Sequence, residues 1–342
     1  MQPPFRARLA GIAVTLPARY RTVEQTREGI AAAGSRFVPP PGMLEDLLGV
    51  RGVHVRDEGE QASDLAAAAA VKALAGAGTT AGDVDLLLFA SGSQDMIEPA
   101  TAHIVAAKLG ARCPVFDVRN ACNSLLDALD VAALFIETGR HRSVLVTCGE
   151  TLTMTTRWHV PDQQAFLRAL PGYALSDAGA ALLLTAGPAG EHDPGLLTVV
   201  TGADSTAWEA CTVAAGGSRH FRPADDEPTY MRLGDDAMRD AVLQLAPRAL
   251  AGAHRELGQA RTSAFMALQQ ATLRQFEEVR DALGLPADRT LPVVAEHGNT
   301  ASASLPLQLV RAIESDRVEP GDLVALFGMG SGLSAGLALL RL

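Results

Sequence analysis

The sequence predicts an α/β protein built from a duplicated α/β unit. Short apolar runs without polar alternation, each roughly four to eight residues, are separated by stretches of helical periodicity. That alternation of strands and helices predicts mostly parallel sheets covered by helices. The order of segments also repeats. A strand, a polar turn and a helix around Cys122 recur around Asn299, 177 residues later, and the strand at Val144 recurs at Val324. With 342 residues, 48% hydrophobic and 20% charged, the chain has room for two compact halves, expected at 1–186 and 187–342.

The elements follow in order. Residues 8–16 read as a first strand. Residues 19–48, broken by Pro39-Pro40-Pro41, read as a helical excursion, and 50–55 as a short strand. Gln61 to Asp64 caps an Ala/Leu helix over 65–76. Residues 84–89 form a buried strand that turns at Ser91-Gly92-Ser93, and a loop with Asp95, Glu98 and Pro99 leads to a helix over 101–109. Residues 115–118 are an apolar run, after which Leu125, Leu126, Leu129, Ala132, Ala133 and Ile136 recur at helical spacing. A strand over 143–148, a polar insertion over 151–173 and a strand over 180–185 complete the first half. In the second, 230–250 read as a long helix, 264–268 as a strand ending at Gln269, and 275–283 as a helix. Residues 291–295 read as a strand running into a helix that starts near Asn299, and 323–327 as a strand ending in the Gly328 to Gly332 turn.

Composition narrows the function. A net charge of −10 argues against general nucleic-acid binding. Cys113, Cys122, Cys148 and Cys211 form no CxxC pair, so neither a metal site nor a disulfide framework is expected, and a reducing cytoplasm fits. The segment Met1 to Arg6 lacks the apolar core of a signal peptide, and the longest apolar run, 178–186, is too short to span a bilayer. Scarce aromatics (4%) with abundant Ala and Gly imply helices packed close to sheets.

Cys122 is the candidate nucleophile. It falls where a strand ends and a helix begins, and unpaired backbone N–H groups with the positive end of the helix dipole favour thiolate. In a duplicated fold the ends of equivalent strands meet near a pseudo-twofold axis, which would join Cys122, Gln269 and Asn299.

Several stretches together resemble the thiolase superfamily, and within it the β-ketoacyl-ACP synthase III type. They are Gly49 to Arg56, Phe116-Asp-Val-Arg-Asn-Ala-Cys122, Ser176 to Ala180, Tyr230-Met-Arg-Leu-Gly234, Gln270-Ala-Thr-Leu-Arg274, Gly298-Asn-Thr300 and Phe327-Gly-Met-Gly330, in shared order over nearly the whole chain. Glu98 to Ala102, Glu296-His-Gly-Asn299 and Gly328 to Leu333 most resemble the branch that joins two fatty acyl thioesters head to head.

The resemblance implies the thiolase fold, with layers α-β-α-β-α, and no cofactor beyond acyl-CoA or acyl-ACP as substrates. It implies Cys122 as the acyl acceptor, backbone amides of Cys122, Met329 and Gly330 as the oxyanion hole, and Asn299 as a donor to the second thioester's oxygen. Gln269 stands where the family has its catalytic His. An amide can donate a hydrogen bond but carries no titratable proton. Decarboxylative condensation is therefore disfavoured, and a non-decarboxylative Claisen step or acyl transfer is expected, in fatty-acid-like or natural-product biosynthesis. Glu98 matches a loop that crosses the family's dimer interface, where the olefin branch has Glu as a base.

Arg274 matches the arginine that docks acyl carrier protein, and Arg219, Arg222, Arg232 and Arg239 would extend it as a basic patch. The family's adenine-stacking Trp and nearby Arg fall at Met43 and Leu47, which removes the usual coenzyme A grip. His297, two residues before Asn299, is expected to make a structural hydrogen bond. The alternatives are a decarboxylative synthase that tolerates Gln269, or an impaired subunit supporting a paralogue. A homodimer or such a heterodimer is implied.

Overall fold

A computed structural model describes residues 5–190, 192–233 and 252–342. Its strands are β1 (Arg6–Thr15), β2 (Tyr20–Thr22), β3 (Gly52–His54), β4 (Leu86–Ala90), β5 (Val115–Val118), β6 (Ser143–Glu150), β7 (Ala178–Gly187), β8 (Gly195–Ala203), β9 (Cys211–Thr212), β10 (Arg232–Leu233), β11 (Phe265–Leu268), β12 (Leu323–Gly330) and β13 (Ser334–Arg341). Two large sheets have the orders β1-β7-β6-β4-β5 and β11-β12-β13-β8. In the first, β4 runs parallel to β5 and β6, while β7 is antiparallel to β6 and β1. The second repeats this: β11 is parallel to β12, and β13 is antiparallel to β12 and β8. The sheets are therefore mixed, not mostly parallel. Only residues 331–333 join β12 to β13, too short a link for a parallel crossover.

The repeat is offset by 180 residues. Helices begin at Ser124 and Ser304, β6 and β12 at Ser143 and Leu323, and left-handed alanines stand at Ala121 (φ 48°) and Ala301 (φ 46°). The counterpart of Cys122 is thus Ser302, which corrects the 177-residue pairing with Asn299. The strand expected over 291–295 is also corrected. Pro292 cannot donate to a ladder, and Val294–His297 form a helical turn. The helix expected over 230–250 lies largely outside the described residues, and its first part is β10.

Each strand's alternate residues face different layers, because both faces are covered. Leu86, Leu88, Val144, Val146, Val324 and Leu326 point into a central layer with the helices Ser124–Glu137 and Ser304–Glu314. Leu87, Phe89 and Leu145 pack outward against the helices Ala62–Gly76 and Thr101–Leu109. Ala325, Phe327, Leu337 and Leu339 pack outward against His254–Arg261 and Leu273–Leu283. The result is the expected five-layer α-β-α-β-α order. Close approach needs glycine where the Ala-rich helix crosses the first sheet. A Cβ on Gly149 would stand 1.8 Å from the Ala62 carbonyl oxygen, and one on Gly179 2.1 Å from that of Leu65.

Candidate active site

Cys122 follows β5 and precedes the helix from Ser124 by two residues. Three hydroxyl contacts hold this turn. The Asn120 N–H donates to Ser124 Oγ (2.7 Å), Ser124 Oγ donates to the Ala121 carbonyl (2.7 Å), and Ser302 Oγ donates to the same carbonyl (3.0 Å). A left-handed alanine is a strained conformation that aims the next residue, and such strain needs a surround of this kind. Ser302 connects onward, its N–H lying 3.3 Å from Glu150 Oε1. Glu150 is fully buried and also accepts from Gly92 N–H (3.0 Å), Ser93 N–H (3.2 Å) and Ser93 Oγ (2.9 Å). Burial raises its pKa, and those donors oppose the rise.

The Cys122 side chain is partly open to a cavity and otherwise surrounded by protein. Burial pushes its thiol well above the ordinary range, and the negative charge of Glu150 and the neighbouring Cys211 push the same way; its own backbone N–H pulls down. The expected thiolate at the helix start is therefore corrected. Desolvation and a like charge outweigh the dipole and favour the protonated thiol.

Gln269 and Asn299 arrive from the second half. Gln269 follows β11, its N–H bonded to the Phe327 carbonyl (2.9 Å). Asn299 is fixed by its N–H to the Ala174 carbonyl (2.7 Å) and by its carbonyl to Ser176 N–H (2.9 Å). The two side chains meet: Gln269 Nε2 donates to Asn299 Oδ1 (3.2 Å), which also accepts from Ala301 N–H (2.9 Å).

One cavity of about 560 Å³ joins these groups. Cys122, Gln269, Asn299, Met329, Gly330 and Arg274 line it, with an apolar wall that includes Leu152, Leu175, Val213 and Leu333. This size and character suit a small-molecule chain rather than a polymer. Close packing explains the glycines of the Gly328 to Gly330 segment: a Cβ on Gly330 would stand 3.1 Å from Asn123 N.

Glu98 is absent from this lining and exposed, on a loop whose Met96 and Ile97 are 49% and 57% exposed. His297 Nδ1 lies 3.0 Å from His54 Nε2, and His297 does not line the cavity. Arg274 is exposed and paired with Glu278 (3.1 Å). Of the expected basic patch, Arg219 lies over Trp208, Arg222 over Phe221, Arg232 is 3.7 Å from Glu227, and Arg239 lies outside the described residues. Met43 and Leu47 sit on the helix Met43–Leu48. Sequence reasoning missed Glu150, Ser302 and Cys211. A charged residue closing the apolar run 143–148 was the available signal for Glu150. Among the described residues no helix is long and apolar enough to cross a membrane.

Comparison with known proteins gives this geometry a family. The profile of 3-oxoacyl-[acyl-carrier-protein] synthase III matches residues 116–205, and that of its C-terminal part matches 259–342. The chain is 33% identical to β-ketoacyl-[acyl-carrier-protein] synthase III of Rhodospirillum centenum, over 99% of both chains. It is 31% identical to that of Thiobacillus denitrificans, over 98% of this chain and 99% of the relative. Among solved structures it superposes on a Glu-to-Ala variant of Xanthomonas campestris OleA, with TM-score 0.88, 26% identity and 100% coverage of both chains. A Cys-to-Ser OleA with bound lauric acid and lauroyl-CoA gives TM-score 0.86 at 26% identity, over 98% of this chain and 99% of that one. OleA is an olefin-pathway condensing enzyme of the thiolase superfamily. The fold is thus shared with these proteins, and the chain belongs to the β-ketoacyl-ACP synthase III family of thiolase-superfamily condensing enzymes.

Proposed function

We propose that Cys122 accepts an acyl group from a coenzyme A or acyl-carrier-protein thioester, and that a second step passes it on without decarboxylation. That step is either a Claisen condensation or transfer to a nucleophilic acceptor. The supporting observation is the meeting of Cys122, Gln269, Asn299, Met329 and Gly330, from both halves of the chain, at one largely apolar cavity. In the first step Cys122 Sγ attacks the thioester carbonyl. The new S–C bond forms as the bond to the carrier sulfur breaks, and the thiol proton leaves with the carrier thiol. Backbone N–H groups of Cys122 and Met329–Gly330 are the proposed donors to the developing oxyanion, and Asn299 the donor to the second substrate's oxygen. Gln269 cannot relay a proton as an imidazole does, which favours a second step independent of histidine. For a Claisen step the proposed base is Glu98, delivered by residues 95–101 of a second copy. Arg274, at the cavity wall, is the proposed carrier-docking residue.

The test is intact mass after incubation with a panel of acyl-CoA and acyl-ACP thioesters. Wild type gains the acyl mass and Cys122→Ala does not. An adduct that persists in Cys122→Ala removes the assignment.

A further inference from the structure

We infer that Gln269 is a positioning residue: it locks the Asn299 side chain in the orientation that presents Nδ2 to the second substrate. This rests on the acyl-Cys122 reading above and deepens it. Glutamine here is not a weakened histidine: its Nε2 is engaged by Asn299.

The assignment of the two amides follows from the backbone. Ala301 N–H can only donate, so the Asn299 atom 2.9 Å from it is Oδ1. The same Oδ1 lies 3.2 Å from the Gln269 amide, so the Gln269 atom facing it is the donor Nε2. Asn299 Oδ1 therefore holds two donors, and Nδ2 is the group Asn299 can offer a ligand. Gln269 Oε1 is left buried without a hydrogen-bond partner. Gln269 is only 4% exposed and Asn299 7%. A buried orphan acceptor is unfavourable and calls for an explanation. The Asn299 lock supplies one: turning the amide over would set Oε1 against Asn299 Oδ1, acceptor to acceptor, and lose the Nε2 donor. The second thioester's oxygen is then held by the Asn299 side chain.

Substitution of the Nε2 donor by a titratable one tests this. In Gln269→Glu a protonated carboxyl can still donate to Asn299 Oδ1, whereas a carboxylate faces it acceptor to acceptor. Cys122 is first loaded from lauroyl-CoA, and discharge by a second addition of lauroyl-CoA is followed by intact mass between pH 5 and 9. On enzyme already loaded at Cys122, the expected ratio of variant to wild-type discharge falls by up to about tenfold per pH unit as pH rises through the pKa of the new carboxyl, and levels off once the carboxylate form dominates. In Gln269→Leu discharge is slowed about 10- to 100-fold at every pH, and its crystal structure shows Asn299 turned from its wild-type orientation. A pH-independent ratio in Gln269→Glu, or an unmoved Asn299 in Gln269→Leu, overturns the inference. Failure of wild type to load Cys122 instead overturns the acyl-Cys122 reading, and loading without discharge to the second thioester overturns its Claisen branch, on which the inference rests.

Discussion

At the scale of single residues, the balance around Cys122 is electrostatic. The helix terminus attracts negative charge, but its effect is confined to the first turn and is about 1 kcal/mol at most sites. Enclosure and the Glu150 carboxylate act against it, and the thiol is raised. Alkylation of Cys122 by iodoacetamide is therefore expected to rise with pH only above the ordinary thiol range of about 8.5. Glu150→Gln should move that midpoint down, because it removes a negative charge at the alkaline pH where the thiol titrates. It should also cost about 1–3 kcal/mol of stability, since the new amide N–H₂ meets the N–H groups of Gly92, Ser93 or Ser302. Mass spectrometry of the labelled cysteine across pH, with a melting curve, reads both; an unmoved midpoint would show that the Glu150 charge is not felt. Cys122, Asn299 and Gln269 were legible in the sequence because each sits in a short contiguous motif. Glu150 and Ser302 were not, because their roles depend on contacts across 152 residues.

At the scale of elements, local pattern located the strands that carry the site but not their partners. β8 and β13 went unnamed, since β13 lies past a glycine-rich turn and β8 mixes exposed and buried residues. The 291–295 run shows the opposite failure: apolar residues suggested a strand, but Pro292 and the tie of Gln270 Nε2 to the Leu291 carbonyl (2.5 Å) shape a turn. That turn ends at His297, whose Nδ1 faces His54 Nε2 while His54 Nδ1 faces the Pro17 carbonyl (2.9 Å). A carbonyl only accepts, so His54 Nδ1 carries the proton and His297 Nδ1 donates to His54 Nε2. Burial lowers both pKa values; proximity to His54 helps take His297 down to about 4. Groups that bind protons less well when folded let the unfolded chain protonate first as pH falls. Stability should thus be intact above about pH 6.5 and decline as pH drops towards 4. Urea midpoints measured across that window should fall less steeply in His297→Asn than in wild type; parallel slopes would exclude the pair as the cause.

At the scale of the whole molecule, the duplication was visible in sequence because two helix starts and two strands recur, and the structure fixed the offset at 180. What a single chain's pattern cannot display is a second copy. β5 is an edge strand, Phe116 on it is 37% exposed, and Met96 and Ile97 are more exposed still. An uncovered edge beside exposed apolar residues invites pairing, and a dimer across this region would carry the Glu98 loop towards the other copy. The protein should sediment as a dimer at micromolar concentration. If a Claisen step is the second reaction, Glu98→Gln should leave Cys122 acylation intact and slow condensation by about 100-fold or more, the lower range for loss of a general base. Mixing makes the geometry testable. Cys122→Ala and Glu98→Gln would each be inactive alone, but in a mixed dimer the Glu98→Gln protomer keeps Cys122 and receives an intact Glu98 from its neighbour. Random reassociation makes about half the dimers mixed, each with one complete site of two, so about a quarter of wild-type condensation should return. No return, with mixed dimers verified by mass, would place Glu98 outside its neighbour's cavity. Ordinary decarboxylative condensation of malonyl-ACP by Glu98→Gln would establish that the reaction needs neither this carboxylate nor a histidine at position 269.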